Sequence, residues 1–429
     1  MHRNLQALIV LTISVCTIAI NAQNAQAQAF GVELHNTMMP VSGAMGGASL
    51  ARPQDVQSAI NGNPATVARL TGTTFGFSGS WVESTFNISN NPPAGSLFSQ
   101  LVGPFEAKSV GQGSLLGNIA VAQDLRPLGV PGTLGVGLIS SAGVGSSFRQ
   151  VPESNGTSAF LAFLDVNVAA GVDVTEELSV GAKLQLGNGT LDGPFVGLTG
   201  AAYDYALRGS VGVDYDIAPA TTVGFYYQTK QSYNFDDAAI LDVPLRDPII
   251  SDIFVDLPNN YGLGIADESL MNGRLLLAAD VLFKQWSDTD LFGAVYDDQW
   301  VFQFGSQYSV NDRVKLRLGY VYAQNATRTQ VGNSAGGVTP PGGQAAIRYV
   351  QAQFPAFNRH RLTGGFGIKD LLPNVDMDFF AGGMFRDTET FGDFTSDELA
   401  TYWVGTGLTW HFGGGCSNQT CDACAQIAH

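Results

Sequence analysis

The feature that most constrains this chain is a two-residue alternation of apolar with polar or small side chains, recurring from Thr73 to Phe412. Successive side chains of a β-strand point to opposite faces, so this period marks strands whose two faces differ. Phe160, Leu164, Val166 and Val168 share one face; Asp165, Asn167 and Gly171 share the other. The split returns at Leu275, Leu277, Val281 and Phe283 against Arg274, Asp280 and Lys284. It returns again at Leu316, Leu318 and Tyr320 against Lys315, Arg317 and Gly319. Fourteen such segments are read: 73–87, 112–124, 132–147, 158–174, 178–190, 201–217, 221–235, 251–266, 273–288, 298–310, 314–327, 358–370, 375–388 and 399–412. Many run about 12–16 residues, longer than the five or six usual in soluble sheets. One greasy face and one polar or small face suit a wall with lipid outside and water or a plug inside.

The connections alternate in length. One set is tight, at 125–131, 175–177, 218–220, 267–272, 311–313 and 371–374, whereas 88–111 and 328–357 are long. Short turns on one side, long loops on the other and an even strand count predict an all-β fold, a 14-stranded antiparallel transmembrane β-barrel over residues 73–412.

Composition agrees. Charged residues make up 14% of the chain, against about 25% in soluble domains. A net charge of −16 with no basic tract excludes a nucleic-acid partner. Residues 1–29 read as a secretory signal peptide, with Arg3, an apolar stretch over 5–20 and Ala27-Gln28-Ala29 as cleavage site. No later run of about 18 apolar residues predicts a membrane helix. The expected location is the outer membrane of a Gram-negative-type envelope, with membrane lipid and the barrel-insertion machinery as partners and the chain acting as a monomer.

Residues 30–72 show no alternation and are rich in glycine and alanine, as in Gly43-Ala44-Met45-Gly46-Gly47-Ala48. A fourteen-stranded barrel has a lumen too wide for its own side chains to fill, so this segment is expected inside it as a hatch, or plug.

Phe30-Gly31-Val32-Glu33-Leu34, then 43–51, then Asn63-Pro64-Ala65, resemble the hatch of FadL-type outer-membrane transporters for long-chain fatty acids and other hydrophobic compounds. The resemblance continues through 165–186, 257–326 and the last three strands. It implies capture of a hydrophobic ligand at the outer loops, passage to an internal apolar pocket near Phe30, Val32, Asn63, Pro64 and Ala65, and lateral release beside a kinked third strand. That strand contains Gly135, Gly137, Gly143 and Gly145, residues that permit a bend. The sequence departs from the fatty-acid transporters in two ways. The outer connection 187–200 is short, and 184–207 carries no Lys or Arg for a carboxylate, which favours neutral hydrocarbons by that route.

Other basic residues are placed inward by register: Lys183, Arg208, Arg274, Lys284, Arg317, Arg359 and Arg361. Arg359 and Arg361, near the outer end of the twelfth strand, are the candidate head-group contacts, set against pairing of these cations with Asp165, Asp280, Asp376 and Asp378. Leu97, Phe98, Leu101, Val102, Phe105, Phe354 and Phe357 are candidates for a capture groove. No cofactor, catalytic set or metal site is expected, since there is no G-x-S-x-G elbow. In the tail 413–429, Cys416, Cys421 and Cys424 read as one disulfide and a spare thiol in an oxidising compartment. A diffusion porin for polar solutes and a structural or adhesive barrel are the alternative functions; the hatch argues against the first and the modest loops against the second.

Overall fold

The computed structural model describes residues 32–33, 35–111, 113–192, 201–241 and 249–412, so the signal segment, Phe30 and the cysteine tail lie outside the described residues. In chain order the strands are β1 Thr73–Asn90, β2 Phe105–Lys108, β3 Ser114–Asp124, β4 Gly132–Ser147, β5 Ser158–Asp173, β6 Leu178–Asp192, β7 Ala201–Ala218 and β8 Thr221–Gln228. Then follow β9 Gln231–Leu241, β10 Ile249–Leu257, β11 Asn259–Leu270, β12 Leu275–Gln285, β13 Gln299–Ser309, β14 Val314–Ala323, β15 His360–Leu372, β16 Val375–Phe391 and β17 Thr395–Phe412. Three α-helices are described: α1 Val56–Asn61, α2 Phe292–Val295 and α3 Gln344–Gln353.

Fourteen strands close one antiparallel barrel: β1, β3 to β8, and β11 to β17. The ring shuts where β17 pairs with β1 from Thr73↔Phe412 to Asn90↔Thr395. Closure leaves no unpaired sheet edge facing lipid. Outward residues such as Leu164, Val166, Leu184, Leu186, Leu318 and Val404 are exposed apolar side chains, as a lipid-facing wall requires. Aromatic rings mark both borders. Tyr227, Tyr261, Phe283 and Trp300 form a ladder at the long-loop end, and Phe75 meets Trp410 at the tight-turn end.

Three departures from the sequence reading have physical causes. The segments read as 221–235 and 251–266 each break, and their outer halves, β9 and β10, form a separate two-stranded sheet. Pro258 stands at the second break and has no N–H for the ladder. Tyr233, Phe235, Ile253, Val255 and Leu257 on this hairpin are buried, and the Tyr233 ring packs 4.8 Å from Phe163 of β5. Within 88–111, β2 adds to the outer end of β1. The long connection 328–357 contains α3, whose Ala346, Ile347 and Val350 are buried at helical spacing.

Residues 35–70 are enclosed by the barrel. Their 3₁₀ turns His35–Met38, Gly43–Met45 and Pro64–Arg69, with α1, are almost entirely buried. Glycines on the inner faces of the strands admit this segment. A Cβ at Gly135 would strike Ile60, at Gly212 Asn63, at Gly224 Leu50, at Gly305 Met45 and at Gly365 Ala44. At Gly181 it would overlap the Pro64–Ala65 backbone, and at Gly319 the Gly46 amide.

Candidate functional site

The enclosed segment is tied to the wall by polar contacts spread around the ring. Asp280 on β12 accepts from the Ser49 and Leu50 amides at 2.6 and 3.0 Å. Thr363 on β15 accepts from the Gly46 amide at 2.9 Å and donates to the Ala44 carbonyl at 3.0 Å. Asn63 caps its own turn by accepting from the Ala65 amide, and its Nδ2 donates to the Leu50 carbonyl and, at 3.0 Å, to the Val213 carbonyl of β7. Asn63-Pro64-Ala65 thus lies against β6 and β7, away from the cavity described below. Arg69 bonds Asp214 and Asp216, and Arg126 bonds the Ala68 carbonyl and Asp173.

The start of the segment forms a buried ionic knot. Glu33 accepts from Arg208 at 2.6 Å and from Asn260 at 2.9 Å, while Lys284 donates to the Glu33 carbonyl. The Val32 carbonyl accepts from the Gly143 amide at 3.2 Å, just beyond a bulge in β4 between Ser140 and Ala142. A bulge bends and locally twists its strand. Gly135 and Gly137 of the same strand face Ile60, and Gly145 pairs with Phe160 of β5.

Burial alone would raise the Glu33 carboxyl, but the Arg208, His35 and Lys284 charges outweigh it and hold the group at about 2. His35 is depressed to about 3 by burial first and by the Lys284 charge second. Both groups bind fewer protons seated than released, so seating is favoured at neutral pH and weakens in acid. The loss begins as pH falls below His35's free value of 6.5 and grows below Glu33's free value of 4.5. Limited proteolysis of residues 32–38 should therefore accelerate between pH 6.5 and about 4, and His35→Gln should remove the upper part of that rise. Cleavage independent of pH over this range would contradict the protonation assignment.

Above the knot lies a cavity of about 30 Å³ lined by Val32, Glu33, His35, Lys284, Trp286, Tyr296, Arg361, Met384 and Leu399. This volume holds about two waters, so a hydrophobic molecule enters only as surrounding groups move. Its roof is an aromatic cluster in which the Trp286 ring lies 5.3 Å from Tyr296 and 5.4 Å from Phe292, and Phe354 lies 5.7 Å from Phe292. Phe98, Val102, Phe354 and Phe357 join this buried cluster, with Leu101 and Phe105 packed against it. Leu97 stays exposed.

Among the inward-read cations, Arg208 pairs with Glu33 and Arg317 with Asp378 at 2.6 Å, and Lys183 donates to the Asn61 carbonyl. Arg274 is instead exposed at a turn, with its guanidinium on the Ser309 and Val310 carbonyls. Arg359 is also exposed, because it precedes the first residue of β15 and lies beyond the regular alternation. Arg361 does reach the cavity, and its buried Nε has no hydrogen-bond partner among the described residues. Trp286 Nε1 on the same cavity is likewise unpartnered. Sequence reasoning overlooked Trp286 and Tyr296 as cavity residues.

A closed β-barrel that carries its own N-terminal segment inside the lumen is the class of protein this fold defines. No protein-family model matches the sequence, and no curated protein matches it. Solved structures match over almost the whole chain. The Pseudomonas putida toluene transporter TodX is 18% identical, with 90% of this chain and 99% of that one covered at a TM-score of 0.63. A Pseudomonas aeruginosa FadL homologue is 15% identical, covering 89% and 100% at 0.65. The Ralstonia pickettii toluene transporter TbuX is 20% identical, covering 91% and 99% at 0.60. At these identities the likeness establishes a shared fold.

Proposed function

We propose that the protein is a monomeric outer-membrane channel for uptake of hydrophobic molecules, with residues 30–72 as its hatch and residues 1–29 removed on export. The observation that carries this reading is the cavity between the Glu33 knot and the aromatic roof, set above a filled lumen. A porin for polar solutes needs an open water path, and here residues 35–70 occupy it. The buried outer-loop aromatics part to admit the ligand, the cavity opens to hold it, and release runs sideways past the bulge of β4. A ligand poorly soluble in water gains from leaving into the bilayer. The fold shared with toluene transporters and a FadL homologue supports this class of cargo.

Arg361 extends the reading to cargo with an anionic end. Its buried Nε, unpartnered among the described residues, lies at the cavity, and a carboxylate there would gain a charge-assisted hydrogen bond worth about 1.5–3 kcal/mol. Titration of intrinsic tryptophan fluorescence with oleate and with toluene, the Trp286 part assigned by its loss in Trp286→Phe, tests both points. Oleate should bind, and Arg361→Met should weaken it roughly 10–100-fold while leaving toluene unchanged. No response to either compound in the wild-type protein would remove the cavity as the ligand site.

A further inference from the structure

The outer hairpin of β16 and β17 carries an unbalanced pair of carboxylates. Glu389 and Asp397 stand directly opposite each other across the antiparallel ladder, so their side chains share a face about 5 Å apart at Cβ. Asp397 is 2% exposed, and neither of its carboxylate oxygens has a hydrogen-bond partner among the described residues. Glu389 accepts from Asn325 Nδ2 at 2.8 Å. Both acids line an open cleft of about 730 Å³ at the rim, together with Ile88 and Ala107 on their own face; the acids Glu106 and Glu398 line it from the opposite face. Like charges directly opposite destabilise a sheet, and a buried carboxylate without partners is costlier still.

We propose that Asp397 and Glu389 bind a divalent cation of the calcium type at the outer rim of the barrel. A proton on Asp397 would cancel one charge but leave its acceptor oxygens unserved, whereas a cation neutralises both acids and engages oxygens of each. Calcium takes six to eight oxygen ligands; two carboxylates provide up to four and water the rest. Lys108 lines the same cleft, but its ladder partner is Asn87, one position away from the Ile88 that faces Asp397. It therefore projects to the opposite face and does not neutralise the pair. Among the described residues no group of three or more His, Cys, Asp or Glu forms a metal site. The two-carboxylate site is accordingly a weak one, with Kd on the order of 0.1–1 mM as in extracellular calcium modules.

Equilibrium dialysis of the full chain in detergent against labelled calcium chloride tests this. The wild-type protein should take up one equivalent in the stated range, and Asp397→Asn should weaken uptake at least about tenfold. Glu389→Gln, at a half-buried position, should also weaken it and serves if Asp397→Asn does not fold. Calcium uptake unchanged in the folded variants overturns the proposal. So does absence of uptake by the wild-type protein at about 10 mM, which would leave Asp397 as a protonated acid.

Discussion

Replacing Gly319 or Gly181 with leucine should turn a sealed barrel into a leaky one. At both positions the wall meets the backbone of the enclosed segment, Gly46 at one and Pro64–Ala65 at the other. Main chain cannot rotate aside as the end of a flexible side chain can, so strand or segment must shift. The strands are paired on both sides around a closed ring, and the segment is the element free to leave. Liposomes carrying either variant should therefore swell in small sugars that the wild-type protein excludes. Gly209→Ala is the control, since a Cβ there meets nothing within 4 Å, and it should remain sealed. Folded Gly319→Leu and Gly181→Leu proteins that exclude sugars as the wild type does would show that the lumen is blocked by something else.

The second large effect is expected at Arg208. Its side chain is 1% exposed and that of Glu33 is 5% exposed, so removing the cation strands a carboxylate away from water. Breaking one side of such a pair costs about 3–5 kcal/mol. Arg208→Met should show a loss of that size in chemical denaturation, together with faster proteolysis near residue 33. Glu33→Gln in the same chain should recover part of it, because the stranded carboxylate is gone while Lys284, 4% exposed, then lacks the Glu33 charge. A double variant as unstable as Arg208→Met alone would mean that Arg208 acts through the Thr229 and Pro258 carbonyls and not through Glu33.

The barrel was legible in the sequence because its information is local. Alternation at Leu164, Val166 and Val168 against Asp165 and Asn167 states which face meets lipid, and every wall strand repeats the statement. The inward turn of β9 and β10 was obscured because Tyr233, Phe235, Ile253 and Val255 alternate equally well in a wall or in a hairpin folded over the lumen. Pro258 was the local sign of the break. Arg361 followed from register, yet Arg359, two residues earlier, did not, because alternation fixes direction only within a strand. The helix Gln344–Gln353 lies in a long connection with no strand alternation, and the helical spacing of Ala346, Ile347 and Val350 is its only local sign. The Glu33–Arg208 pair joins residues 175 positions apart, and no local pattern encodes such a contact. The inner glycines were visible all along, but their meaning depends on which residues the segment lays against them.

Single-channel conductance in planar bilayers tests most directly whether residues 30–68 seal the lumen. The full mature chain should be electrically silent, and the same chain lacking those residues should conduct steadily. Steady ion current through the intact protein would contradict the seal, and with it the case for sideways release of a hydrophobic cargo.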